Sequence, residues 1–244
     1  MLTIPILDKL RDLRLQGMLK SYQEQNESSE YVDLNFEERL GLMVDREMIE
    51  QENRRLNSRL RKAKLRHQAC MENIDYRTHR GLDKSLMNLL SQCKWIKERL
   101  NVLITGSCGV GKSFIACALA HKVCLRGYSA RYVRAPRLFE DISIARGDGR
   151  YTNLMNSFAK TNLLVIDDWG LSMLSDQQRR DLLEILEDRH NLQSTIITSQ
   201  LPVKHWHEII GNPTLADAIL DRLVHNAYKI DLKGDSMRKK RSRL

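Results

Sequence analysis

The most chemically pointed residues of this chain run from Gly106 to Ser113: Gly106, Ser107, Cys108, Gly109, Val110, Gly111, Lys112 and Ser113 spell G-x-x-x-x-G-K-S. Glycine at 106, 109 and 111 lets the backbone bend so that successive N–H groups turn inward, and a helix N-terminus behind them adds partial positive charge. Such a cradle suits phosphate. Lys112 would reach β- and γ-phosphate oxygens, and Ser113 would offer its hydroxyl to Mg²⁺. The bland alternative is a glycine turn that merely joins a strand to a helix. It is disfavoured because a β-rich run, 101–105, precedes the motif and a helical run, 114–126, follows it. Phe114 opens that run and joins the candidate nucleotide-binding set. Cys108 fills a variable position, where its thiol is oxidisable but not assigned to catalysis.

Turnover of a triphosphate needs an acid at the carboxyl edge of the sheet, and the run Leu163-Leu-Val-Ile ends in Asp167 and Asp168. Asp167 is placed to hold the Mg²⁺ shell, and Asp168 to polarise the attacking water. Neighbouring side chains on a strand diverge, so the pair serves two roles rather than chelating one ion. A further apolar run, 195–198, ends in Ser199 and Gln200, polar groups within reach of a γ-phosphate. Arg222 lies among apolar residues of a helical stretch, where the residues alone favour a salt bridge to Asp217 or Asp221.

These groups need a scaffold. Five short β-rich runs, 102–105, 130–133, 163–166, 195–198 and 227–230, alternate with amphipathic helical stretches, which predicts an α/β domain with a parallel sheet covered on both faces. Upstream there is no proline between Ile6 and Ala135, so long helices can form. Leu7, Leu10, Leu13, Met18, Leu19 and Tyr22 keep a helical stripe that a polar stretch, 23–30, interrupts. Asn35 and Glu38 form a capping-box pattern opening a second helix. From 53 to 66 that helix carries Arg54, Arg55, Arg59, Arg61, Lys62, Lys64 and Arg66 with no acidic residue. A solvated face is the common reading of such a run; the absence of carboxylates favours phosphate contacts with DNA. Residues 75–94 read as a connector broken at Gly81. The expected division is therefore a small all-helical domain at 1–75 and an ATPase domain at 76–244.

Composition supports a polyanionic partner. Among 244 residues, 40 Lys and Arg face 31 Asp and Glu, a net charge of +9. Hydrophobic residues at 42% allow a sizeable core, and no run approaches the ~20 apolar residues that span a bilayer. The charged N-terminal stretch does not read as a signal peptide, so a cytoplasmic protein without membrane contact is expected. The five cysteines form no C-x-x-C pair and read as reduced thiols; His205 and His207 alone are a poor metal ligand set.

The segments GSCGVGKS, LLVIDDWG and IITSQLPVKHWHEIIGNPTLADAILDRLVHNAYKIDLKGDSMRK together closely resemble the IstB family of insertion-sequence transposition helper ATPases, which is similar to the DnaA and DnaC branch of AAA+ proteins. The resemblance covers essentially the whole chain. It implies an AAA+ fold with a five-stranded parallel sheet, and an ATP site completed by the next subunit of a homo-oligomer. Gly106 to Ser113 match Walker A, Asp167 and Asp168 match Walker B, Gln200 matches sensor one, and Arg222 matches the arginine finger. It further implies ATP and Mg²⁺ as cofactors, duplex DNA and a cognate transposase as partners, and hydrolysis that remodels or releases the assembly. Two departures stand out. Asp168 replaces the glutamate many AAA+ proteins carry, and the short stretch after Leu232 leaves no room for a C-terminal lid domain. The basic tail, Arg238, Lys239, Lys240, Arg241 and Arg243, is expected to be flexible and is a candidate for added DNA affinity. A DnaC-like replicative helicase loader and a P-loop NTPase without a DNA role stand as alternatives.

Overall fold

The computed structural model of the chain describes residues 3–237, so the basic residues from Arg238 to Arg243 lie outside the described residues. Two compact units divide the chain, Met1–Ser58 and Arg59–Leu244. The division falls inside a helix, and residues 59–75 belong with the larger unit.

The first unit is helical: α1 (Thr3–Asp12), α2 (Gln16–Glu27) and the start of α3 (Phe36–Ala63). The polar stretch 23–30 contains the end of α2 at Glu27, and a further break that the pattern did not announce separates α1 from α2. The turn between α1 and α2 takes Arg14 through φ 59°, and α2 then runs through its polar residues as far as Glu27. Long-range bonds explain this persistence. The Gln25 amide donates to the Arg39 carbonyl at 3.0 Å, and the buried Glu47 carboxylate accepts the Gly17 and Met18 N–H groups at 2.6 and 3.3 Å. Glu47 thus caps α2 from α3. Gly17 permits this approach, because a Cβ there would sit 2.5 Å from the Glu47 Cα. The capping box at α3 is present, with Asn35 and Glu38 exchanging bonds of 2.9 and 3.0 Å.

In the second unit, α4 (Lys84–Ser91) and α5 (Lys94–Lys97) precede β1 (Asn101–Gly106). The stretch read as a connector therefore carries a helix, α4. Asp83 caps α4 by accepting the Ser85 N–H at 2.7 Å, and Met87 and Leu90 are fully buried. The chain continues through α6 (Lys112–Leu125), β2 (Ala130–Arg134), α7 (Ala135–Gly147), α8 (Tyr151–Lys160) and β3 (Leu163–Trp169). After these come α9 (Asp176–Arg189), β4 (Ser194–Ser199), α10 (Trp206–Ile210), α11 (Pro213–Val224) and β5 (Ala227–Leu232). All five expected strands are present, and among the described residues they form one parallel sheet in the order β2-β3-β4-β1-β5.

The strand interiors are closed to solvent on both faces: Val102, Leu103 and Ile104 on β1 and the run 163–166 on β3 are essentially inaccessible. Leu164, Ile166 and Ile197 pack with Leu182, Ile185, Trp206 and Ile219 in one core. Arg189 braces one end of the sheet, donating to Thr195 Oγ1 at 3.1 Å and to the Thr161 carbonyl at 2.7 Å while fully buried. At the opposite, carboxyl end, the order places β1 beside β4 and β4 beside β3. The loops after these three strands therefore share one edge, where parallel sheets build their sites. No helix among the described residues is long and apolar enough to cross a membrane.

Candidate nucleotide site

The loop between Gly106 and Lys112 is fixed by what lies directly against it. Gly106 has φ 141°, and a Cβ there would come within 2.2 Å of the Leu232 carbonyl oxygen; Gly111 has φ 99°, and its Cβ would meet Arg80 Nη1 at 2.5 Å. Side chains at these two positions would push the loop off β5 and off Arg80. Lys112 is buried and donates from Nζ to the carbonyls of Gly106 and Ser107, both at 2.8 Å. Its ammonium thus closes the loop onto two of the loop's own carbonyls.

Ser113, on the first turn of α6, donates to Asp167 Oδ1 at 2.9 Å. Asp167 is fully buried and also accepts bonds from Tyr132 Oη and Thr198 Oγ1. Burial, followed by the hydrogen bond to Asp167, pushes the Tyr132 phenol well above its ordinary value, so it stays a donor. Asp168 diverges from its neighbour. It takes φ 59° at an irregularity in the β3–β4 pairing, its N–H donates to Thr198 Oγ1 at 3.2 Å, and its carboxylate meets Arg134 Nε at 2.9 Å.

Arg66 stands between the two acids, with Nη1 3.7 Å from an Oδ2 of each. A hydrogen bond to Tyr132, opposed by burial and joined by the two carboxylates, raises its pKa. A hydroxyl and a carboxylate 2.9 Å apart fit a shared Mg²⁺. Among the described residues no group of three or more His, Cys, Asp and Glu could hold a metal without other ligands.

A cavity of about 200 Å³ opens over the loop, lined by Cys108, Gly109, Gly111, Lys112, Ser113 and Phe114 on one side. Asp168 and Gln200 line it as well, together with His67, Asn73, Asp75, Arg80 and Met237. Val110 is wholly buried, and Asp167 lies buried behind Ser113. Thus the P-loop, the aspartate pair and Gln200 converge. Ser199 does not join them: it is buried, donating to the Trp169 carbonyl at 3.0 Å and accepting the Leu201 N–H at 3.1 Å.

Arg222 does not line this cavity. On α11 it donates to the Ala218 carbonyl at 2.7 Å and pairs with Glu187 of α9. The carboxylates nearest in sequence are paired with histidines instead, Asp217 with His207 at 3.4 Å and Asp221 with His225 at 3.2 Å. Asp221 is one residue from Arg222 and Asp217 five, and neither spacing puts two side chains side by side on a helix, which is why sequence proximity misled here.

The basic run also divides. Arg54 binds Glu47 at 2.8 Å and the Arg14 carbonyl at 3.1 Å, Arg59 donates to the Cys124 carbonyl at 3.0 Å, and Arg66 is held at the aspartate pair. Arg55, Arg61, Lys62 and Lys64 are exposed. Tyr132, Thr198, Arg134 and Arg80 are site residues that sequence reasoning missed. None carries a local signal: strand order brings Tyr132, Arg134 and Thr198 to the motif, and Arg80 arrives from the loop before α4. The five cysteines are free thiols.

Comparison with known proteins accords with this geometry. The family model described as IstB-like ATP binding protein matches residues 8–244. A relative in Sinorhizobium fredii, y4pL, named as an insertion sequence ATP-binding protein, is 54% identical over 243 residues, spanning 100% of this chain and 99% of its own length. An ATP-binding protein of insertion sequence IS1162 from Pseudomonas fluorescens is 45% identical over 203 residues, covering 83% of this chain and 88% of that one. Among solved structures, the DnaC helicase loader is similar in fold, with a TM-score of 0.56 and 20% identity over 68% of this chain and 97% of that chain. The fold is that of the P-loop AAA+ proteins, and the chain belongs to the family of IstB-like ATP binding proteins.

Proposed function

We propose that this chain is a Mg²⁺-dependent ATP hydrolase of the cytoplasm that oligomerises on duplex DNA, recruits and stimulates a cognate transposase, and uses hydrolysis to remodel or release the assembly. The observation that carries the reading is the convergence of Lys112, Ser113, Asp168 and Gln200 on one cavity, with Asp167 bonded to Ser113 behind it. Lys112 neutralises β- and γ-phosphate charge, and the loop amides position the phosphates. Bound Mg²⁺ supplies Lewis acidity toward the phosphate oxygens, held by Ser113 and Asp167. Asp168 accepts a proton from the attacking water, and Gln200 orients the γ-phosphate end. Arg222 acts on the site of a neighbouring copy, a role that accords with its absence from the lining of its own chain's cavity.

Membership of an insertion-sequence family supports the DNA and transposase parts, as does the net charge of +9. The exposed Arg55, Arg61, Lys62 and Lys64 are the basic residues best placed to meet phosphates, reading charge rather than base identity. ATP turnover measured with and without duplex DNA across a salt series tests the proposal. Stimulation that fades steeply with salt is expected. Turnover indifferent to DNA would favour a nucleotide hydrolase without that role, and capture of a replicative helicase instead of a transposase would favour a loader.

A further inference from the structure

Arg66 belongs by sequence to the basic run, but its charge is turned onto the acid pair. Helix α3 ends at Ala63, which is fully buried, and Lys64 then takes φ 50°, a left-handed conformation uncommon outside glycine. The His67 ring meets Phe114 of α6, with 6.2 Å between centroids. Between these two fixed points Arg66 places Nη1 3.7 Å from Oδ2 of both Asp167 and Asp168, and it donates a hydrogen bond to Tyr132. Separations of 3.7 Å are those of an ion pair and too long for a hydrogen bond, and the side chain is 39% exposed. Water therefore reaches the guanidinium, and the contact is attractive but reversible.

Asp167 accepts the Ser113 hydroxyl on Oδ1 at 2.9 Å and turns Oδ2 to Arg66. A dication held by Ser113 and Asp167 would share that one carboxylate with the guanidinium, and like charges this close oppose each other. Asp168, the group that would take a proton from water, is engaged by two cations, Arg66 and Arg134. Arg66 thus works against both parts of the hydrolytic chemistry. The means of drawing it away lie in the same segment. Arg61, Lys62 and Lys64 are exposed and form no ion pair among the described residues, so a row of phosphates meeting them would bring negative charge beside Arg66. We propose that Arg66 is an inhibitory latch: without DNA it occupies the acid pair and opposes Mg²⁺ there, and duplex DNA at the end of α3 draws it off onto a backbone phosphate. The proposal rests on the reading of the cavity as a Mg-ATP site and of this run as a DNA contact.

Binding of a fluorescent, non-hydrolysable ATP analogue to the full chain across a series of free Mg²⁺ concentrations, with and without duplex DNA, tests it independently of turnover. In the unaltered chain DNA should lower the half-saturating free Mg²⁺ about 3- to 30-fold, the range left to a partly exposed ion pair at this separation. Arg66→Gln should show the lowered value already without DNA, with DNA-free turnover raised and little further stimulation; Arg66→Lys, which keeps the charge, should stay dependent on DNA. A Mg²⁺ requirement that bound DNA does not move overturns the latch, and this arm needs no variant to fold. So does an unchanged Mg²⁺ requirement in Arg66→Gln, or turnover that falls in it both with and without DNA, which would mean that Arg66 supports the reaction. An unaltered chain that takes up no analogue at any Mg²⁺ concentration would instead remove the ATP reading, and one that takes up analogue but no DNA would remove the DNA contact, each taking the latch with it.

Discussion

Glu47 offers a sharp test of how the helical unit is held together. Its side chain is 6% exposed and accepts two N–H groups from the first turn of α2, with further bonds from Gln51 at 3.0 Å and Arg54 at 2.8 Å. Replacing Glu47 with Ala leaves the Gly17 and Met18 amides without their acceptor at a helix N-terminus. Hydrogen bonds to a charged group contribute about 1.5–3 kcal/mol, and loss of an N-cap costs about 0.5–2 kcal/mol. The Arg54 pair adds only a few tenths, since the Arg54 side chain is 41% exposed and screened. A total of about 2–4 kcal/mol follows, which is roughly a 30- to 1,000-fold rise in local opening of α2.

With two units, global unfolding need not be two-state, so hydrogen exchange at the amides of 17–20 is the appropriate readout. Glu47→Gln, which keeps an acceptor but no charge, should lose about half as much. Burial opposes ionisation of Glu47, but hydrogen bonds from Gln51, Gly17 and Met18 and the charge of Arg54 outweigh it and hold the carboxyl below its ordinary value. Because the folded value is depressed, this stabilisation is complete above the ordinary carboxylate range and is lost as pH falls through the depressed value. The Gln variant should lack that acid-side loss. Unchanged exchange at 17–20 in the Ala variant would refute the capping argument.

The nucleotide site yields three further expectations. Lys112→Ala should abolish Mg-ATP binding in calorimetry, and retained affinity would displace the phosphate site from this loop. Asp168→Asn should keep ATP bound while turnover falls about 10²-fold or more, as expected for loss of a general base; a phosphate-release assay showing near-normal rates would move the base elsewhere. Mixing Arg222→Ala subunits with Lys112→Ala subunits should restore part of the hydrolysis through interfaces that pair an intact Lys112 with an intact Arg222. No rescue at any mixing ratio would count against Arg222 acting on a neighbour.

Local pattern determined a good deal about this protein. The alternation of apolar runs gave five strands whose observed bounds differ from the expected ones by one residue or a few, because a strand buried on both faces must be written in apolar residues. The glycines at 106 and 111 were legible for a similar reason: at φ 141° and 99°, with Leu232 and Arg80 directly against them, a side chain does not fit. Asp167 and Asp168 stood out only through the P-loop, which calls for an acid-ending apolar strand; by itself the run reads as an ordinary buried strand followed by a capping acid.

Tertiary structure decided the rest. Whether Arg66 faces solvent or the aspartate pair, whether Arg222 pairs with Asp221 or Glu187, and where Arg80 lies depend on long flexible side chains meeting partners far away in the chain. Tyr132 and Thr198 reach Asp167 only because β2 and β4 flank β3. That order is set by packing of helices against the sheet, a global balance that no window of sequence contains.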